Sequence, residues 1–375
     1  MCKQKNSFMT FTAHRLMHVS SIKNFSLALV IVTGGINVFA QEQYDFTKNP
    51  YGLVYRDAIT ENRPGEVNIH PVDYELNGVK IAANVYTPAN YDPSRKYAAI
   101  VVSHPNGGVK EQTAGLYAQR LAALGYVTIA ADASYQGASG GTPRNLDIPQ
   151  NRINDVRGMV DYISHYAGVD ASRIGALGIC GGGGYTYAAV QSDKRIKAAA
   201  TLSLFNTGRV RRLGYQDSQI TTIQERLKRA SDAREKFVLT GEVMYKGPKG
   251  TQTRQEIEEA MSHLQPGTLY HDGLEYYGIT HVHPNSVSRY TTASLMDLMA
   301  WDATAHAGLI SCPMLIMSGS KSDSDYMSRE AYIKAGTADK EYYQIKGASH
   351  IQTYYVPEYV DDAINKLNEF FGNKL

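Results

Sequence analysis

At 375 residues the chain can hold two domains, or one large domain with an insertion, and its composition is that of an ordinary globular protein apart from 27 tyrosines. Residues 1–40 hold four of the 38 basic side chains and none of the 36 acidic ones, which leaves 34 basic against 36 acidic groups beyond them. That near balance argues against nucleic acid as a partner.

Lys23 precedes an apolar run from Phe25 to Val32, and small residues follow up to Val38-Phe39-Ala40 before Gln41-Glu42-Gln43. A charged flank, a short apolar stretch and a small-residue end form the pattern of a secretory signal. The run is too short to cross a bilayer. The expectation is a signal over 1–40, an exported (periplasmic or secreted) protein with no membrane partner after cleavage, and an N-terminal extension over 41–65.

Asn68 to Leu76, Asn77-Gly78 and Val79 to Tyr86 read as an antiparallel hairpin with a primed turn. Ala98-Ala99-Ile100-Val101-Val102 reads as a fully buried parallel strand running into Ser103-His104-Pro105-Asn106-Gly107-Gly108. A loop of this kind at the carboxyl end of an early strand supplies one backbone N–H of an oxyanion hole, assigned to Asn106 with Gly107 as the alternative. His104 is read as shaping that loop. A helix from Glu111 to Leu124 ends at Gly125, Val127 to Ala131 is the next strand, and Ile153 to Ile163 lies on a helix.

The most informative stretch follows the apolar run Ile174-Gly175-Ala176-Leu177: it is Gly178-Ile179-Cys180-Gly181-Gly182, and it opens a helix. Strand, small-x-nucleophile-x-small turn, helix is a nucleophile elbow. The turn is sharp, so its flanks must be small. Here the apex is a thiol, which predicts acyl chemistry through a covalent intermediate. Gly181 supplies the second oxyanion N–H. Cys2 leaves with the signal, and Cys180 and Cys312 fall at opposite edges of a parallel sheet, beyond disulfide reach. Cys180 is thus expected as a free thiol.

After a strand from Ile196 to Leu204, residues 206–305 form an insertion far longer than a crossover, with a helical pattern at Ile220, Ile223, Leu227 and Ala230. It reads as a cap over the cleft, with the catalytic core in 66–205 and 306–375. His281 and His283 form a His-x-His pair, but the spacing places no third ligand, so no metal is assigned. His283 and Arg289 are candidate substrate contacts. The strand Met314 to Met317 leads into Ser318-Gly319-Ser320-Lys321-Ser322-Asp323-Ser324-Asp325, which offers two aspartates. Asp323 is the first choice for the residue that orients the base and Asp325 the runner-up; a helix is expected to begin near Ser328. The last strand, Glu341 to Ile345, is followed by Lys346-Gly347-Ala348-Ser349-His350 and a helix beginning near Pro357 with the apolar stripe Val360, Ile364, Leu367, Phe371. Its position after the last strand makes His350 the candidate for the base.

These motifs, with Asp132-Ala133-Ser134-Tyr135-Gln136-Gly137, resemble the α/β-hydrolase superfamily, and within it the dienelactone-hydrolase-like branch, similar also to X-Pro dipeptidyl-peptidase, fermentation–respiration switch and polyketide transferase proteins. The resemblance runs from about residue 65 to the end. It implies an α/β fold with a mostly parallel twisted sheet, helices on both faces and a largely helical cap. It also implies hydrolysis of an ester, lactone or related acyl bond, a Cys-His-Asp triad of Cys180, His350 and an aspartate, a small-molecule acyl substrate and no cofactor. Tyr135 joins the candidate substrate contacts. Transfer to an acceptor other than water, and a binding protein on a hydrolase scaffold, are the rival readings. The exported product should begin at Gln41 by intact mass, whereas a cytoplasmic product retaining residues 25–40 would contradict the signal.

Overall fold

The computed structural model describes residues 48–248 and 252–375. The expected signal over 1–40 lies outside the described residues. The hairpin forms as expected: β1 (Asn68–Leu76) pairs antiparallel with β2 (Val79–Thr87) from Asn68↔Thr87 to Leu76↔Val79. Asn77 (φ 52°) and Gly78 (φ 76°) both take positive φ, as a type I′ turn requires.

Alternating strands and helices then build the core. They are β3 (Tyr97–Ser103), α1 (Thr113–Ala123), β4 (Val127–Ala131), α2 (Pro149–Ser164), β5 (Val169–Ile179), α3 (Gly181–Ala189) and β6 (Ile196–Leu202). The sheet order is β1-β2-β4-β3-β5-β6-β9-β10, where β9 is Met314–Gly319 and β10 is Lys340–Ile345. Only the pairings of β2, with β1 and with β4, are antiparallel. Every residue of β3 and β4 is buried, the reason Ala98 to Val102 reads as an unbroken apolar run. This is the α/β-hydrolase fold. β6 stops two residues short of the expected Leu204 because Ser203 takes φ 50° and turns the chain.

Register decides where the chemistry goes. Ser103 pairs with Gly178, Ile179 with Leu202, and Leu202 with Met317, so the loops after β3, β5, β6 and β9 leave the sheet at one edge. Ligands of open α/β sheets bind at that carboxyl edge.

Between β6 and β9 the insertion folds as α4 (Thr207–Leu213), α5 (Ile223–Thr240), α6 (Arg254–Ser262), α7 (Leu269–Glu275) and α8 (Leu295–Ala300), with a short antiparallel pair, β7 (Tyr245–Lys246) and β8 (Tyr290–Thr291). Ala230 is fully buried with Tyr290, Leu295, Leu298 and Met299, and Ile223 and Leu227 pack on that cluster, whereas Ile220 lies outside the helix and is exposed. α9 (Asp325–Lys334) begins three residues before the expected start near Ser328, which shortens the loop after β9. α10 (Pro357–Lys374) buries Val360, Ile364, Leu367 and Phe371, each contributing about 1.5–3 kcal/mol of apolar burial.

The crossing of β5 into α3 leaves no space for side chains. A Cβ on Gly182 would lie 2.4 Å from the Ser103 carbonyl oxygen and 2.6 Å from that of His104. At Gly308 an added Cβ meets nothing within 4 Å. Gly182→Ala should lower stability in urea by about 1–3 kcal/mol, and Gly308→Ala should change it by less than about 0.5 kcal/mol.

Candidate active site

β5 delivers Cys180 to the sheet edge, and α3 starts at the next residue. The backbone between them is strained: Cys180 sits at φ 55°, ψ −119°, a conformation worth on the order of 1–3 kcal/mol of strain for a residue with a side chain. Glycines make it possible. A Cβ on Gly178 would lie 2.4 Å from the Gly182 carbonyl oxygen, and one on Gly181 would lie 2.2 Å from Asn106 Oδ1. Cys180 as a residue is 8 % exposed. Burial pushes its pKa up, and the Tyr354 hydroxyl, the backbone N–H groups of Gly181 and Asn106 and the Arg152 guanidinium pull it back in part. Two backbone donors from two different loops therefore converge at the sulfur. Asn106 is held for this by its own amide, which donates to Thr207 Oγ1 at 2.9 Å.

His350 is wholly buried. It opens the short helical turn Ile351–Tyr354, and the turn brings residue 354 back against residue 350. The ring is engaged at both nitrogens: Nδ1 lies 2.5 Å from Ser324 Oγ and Nε2 lies 2.9 Å from the Tyr354 hydroxyl. Ser324 Oγ is in turn 2.9 Å from Ser322 Oγ. The series Ser322–Ser324–His350–Tyr354–Cys180 is a continuous hydrogen-bonded path ending at the thiol. Its donors and acceptors suit proton transfer to and from sulfur beside two N–H groups able to hold a carbonyl oxygen as charge develops.

Residues 81–203, from β2 to the turn after β6, match the dienelactone hydrolase family. The chain is 38 % identical over 304 residues to the uncharacterized protein YcjY of Escherichia coli K12, an alignment covering 79 % of this chain and 95 % of that one. The chain belongs to the dienelactone hydrolase family of α/β hydrolases. The crystal structure of the hypothetical protein PA2218 from Pseudomonas aeruginosa superposes with a TM-score of 0.72 at 33 % identity, covering 83 % of this chain and 94 % of that one. The α/β hydrolase GrgF from Penicillium sp. sh18 shares the fold, with a TM-score of 0.64 at 18 % identity over 82 % of this chain and 99 % of that one.

Against the family's Cys-His-Asp pattern, the two aspartates face elsewhere. Asp323 accepts the N–H of Leu269, at 3.1 and 3.2 Å, and so caps the start of α7 in the insertion, where an anion complements the helix dipole. Asp325 has been drawn into the first turn of α9 by that helix's early start; it pairs with Arg329 one turn on at 2.5 Å and accepts the Tyr342 hydroxyl. The geometric expectation that Asp323 or Asp325 orients His350 is corrected: Ser324, between them, holds Nδ1. Neither Ser324 nor Tyr354 was singled out from the sequence. The four-residue spacing from His350 to Tyr354 within one helical turn was the available signal for the second.

His104 donates from Nδ1 to the Pro105 carbonyl at 2.7 Å and accepts the Ala133 N–H at Nε2 at 3.0 Å, so both nitrogens shape the loop. Tyr135, at φ 68°, organises its own loop through its backbone bonds with Gly140 and Asn145. Arg289 lies over the Tyr245 ring at 3.9 Å, inside the insertion. His283 accepts the Asn285 N–H and stands near the buried Lys110–Asp132 pair, while His281 stacks on Tyr276 at 4.4 Å; no strand aligns the two. His271, Asp272 and Glu275 cluster within 4.8 Å, but Asp272 already accepts the Gly267 N–H on one oxygen and the Ser349 hydroxyl on the other. That arrangement ties α7 to the base loop.

The insertion reaches three loops of the site. Val287 N–H and the Ser286 hydroxyl both donate to the Gly107 carbonyl, Leu269 binds Asp323, and Asp272 binds Ser349. Tyr276 meets Tyr354 edge to face at 5.5 Å.

Burial lowers the pKa of His350 to about 3. The folded imidazole thus takes its proton near pH 3 while the unfolded one takes it near 6.5. Its contribution to stability is complete above pH 6.5 and is lost as pH falls between those values. Imidazole 15N NMR should show His350, and likewise His104 with its pKa lowered to about 4 by burial, still neutral at about pH 5, where an exposed histidine is already charged.

Proposed function

We propose that this α/β hydrolase is an exported enzyme that cleaves an ester, lactone or related acyl bond through an acyl-enzyme on Cys180. The supporting observation is the convergence on one sulfur of the Gly181 and Asn106 N–H groups and of the hydrogen-bonded path from His350. In this reading His350 is the base and Ser324 orients it. The sulfur attacks the carbonyl carbon, and the oxygen takes its negative charge at the two N–H groups, which then exchange the resting sulfur for the oxyanion. Collapse expels the alcohol or enolate, and water activated by His350 cleaves the thioester.

A thiol suits this machinery. It is more acidic than a serine hydroxyl, so it asks less of an imidazole that has a hydroxyl, and not a carboxylate, behind it. No cofactor enters the scheme.

The purified protein should be screened against esters, lactones and thioesters, with mass spectrometry of the quenched reaction. The adduct is expected on the peptide containing Cys180. Cys180→Ala should abolish both adduct and turnover, while Cys312→Ala should retain turnover and cost about 1 kcal/mol of stability. Ser324→Ala should lower turnover more than Asp323→Asn does; the reverse ranking would return the orienting role to the aspartate. Product that appears only with an added alcohol or amine acceptor would make the enzyme an acyltransferase, and normal turnover by Cys180→Ala would remove the cysteine mechanism.

A further inference from the structure

The imidazole reaches the sulfur through a phenol: Tyr354 OH lies 2.9 Å from His350 Nε2 and hydrogen-bonds the Cys180 thiol. We propose that Tyr354 is a catalytic residue of this site, the carrier that passes protons between Cys180 and His350. The proposal rests on the acyl-enzyme reading above and adds to it a third reacting group.

The direction of the path is that of the Nδ1–H tautomer. A neutral imidazole that donates Nδ1–H to Ser324 Oγ has Nε2 as its acceptor, and the group facing Nε2 is the Tyr354 hydroxyl. The phenol then donates its hydrogen to Nε2 and presents its oxygen lone pairs to the S–H. Each group in the path makes the bond that proton transfer away from sulfur requires, with no rotation of the phenol.

The ring is held for the task. Tyr354 is 1 % exposed, its carbonyl accepts the Thr113 hydroxyl at 3.3 Å, and Tyr276 packs against its face or edge at 84°. The neighbouring Thr353 ties the same turn down: its hydroxyl donates to the His350 carbonyl, and its own carbonyl accepts the Tyr117 hydroxyl at 2.7 Å. Burial also holds the phenol's pKa well above its usual value, so the phenol hands protons on without itself resting as a phenolate.

The step balances. The thiol proton moves to the phenol oxygen as the phenol proton moves to Nε2, giving a thiolate, a neutral tyrosine and an imidazolium. The sulfur lone pair forms the S–C bond, and the carbonyl π pair becomes the oxyanion. When the oxyanion collapses, the bond to the leaving oxygen breaks, and that oxygen receives the proton from Nε2–H along the same path. In the second half, water loses a proton along the path as its oxygen bonds the acyl carbon. The C–S bond then breaks, and the sulfur recovers its proton.

The test uses Tyr354→Phe, which keeps the ring and removes the hydroxyl. With p-nitrophenyl acetate as probe, acylation of Cys180 should fall at least about 100-fold, the scale of a lost proton-transfer group. Alkylation of Cys180 by iodoacetamide at neutral pH should fall in parallel, with a circular dichroism spectrum like that of the wild type. In mixtures of H2O and D2O the wild-type acylation rate should follow a bowl-shaped proton inventory, the mark of two protons in flight, and the Phe variant a linear one. Acylation or alkylation of Tyr354→Phe at the wild-type rate would overturn the proposal. So would a linear inventory in the wild type, which needs no variant and decides the matter even if Tyr354→Phe does not fold. Failure of the wild type to be acylated by any ester, with alkylation still slowed in Tyr354→Phe, would sink the acyl-enzyme reading and leave the proton path standing.

Discussion

The left-handed backbone at Cys180 is the constraint on which the rest of the site depends. It turns a buried strand into a buried helix within one residue, and it does so only because Gly178, Gly181 and Gly182 let strand, helix and oxyanion loop touch without intervening carbon. The close approach of α3 to the Ser103 and His104 carbonyls carries the loop after β3 up to the sulfur. Strain at this point presents the thiol and two backbone donors together, and the packing of the sheet holds it there.

His350 is held in a different way. A wholly buried imidazole with a serine at Nδ1 and a tyrosine at Nε2 is surrounded by neutral hydroxyls, and its proton affinity is low. In a low-dielectric site a carboxylate at Nδ1 would stabilise the imidazolium. Here the charge of Asp323 is spent on the N-terminus of α7, at the border between core and insertion. The same short loop thus divides its labour among neighbours: Asp323 fastens the insertion, Ser324 holds His350, and Asp325 pairs with Arg329 within α9 and ties that helix to β10 through Tyr342.

This division makes the insertion part of the site and not only a cover. Its hydrogen bonds fall on the loop after β3 at Gly107, on the loop after β9 at Asp323 and on the loop before His350 at Ser349. A change in the insertion that shifts any of these contacts moves the chain neighbour of Asn106, of Ser324 or of His350.

The sequence alone determined the elements and their order. The hairpin around the Asn77-Gly78 turn, the unbroken apolar run in β3 and the stripe on α10 are local patterns, and each formed where its residues indicate. The glycine-flanked Cys180 and the loop histidine at 350 were legible for the same reason: a sharp turn demands small neighbours, and chain order in this fold is an ordered list of roles. The partner of His350 was not legible, because Asp323, Ser324 and Asp325 are adjacent in the chain and differ only in which way they face. That was decided by where α9 begins and by an unpaired helix start, α7, more than fifty residues earlier in the chain. The place of Tyr354 was likewise a matter of tertiary structure, since only the packing of the turn after His350 against β9 and α7 sets its hydroxyl between imidazole and thiol. Periodicity reports which face of an element is buried; it carries no information about which of several neighbouring polar groups a distant element will claim.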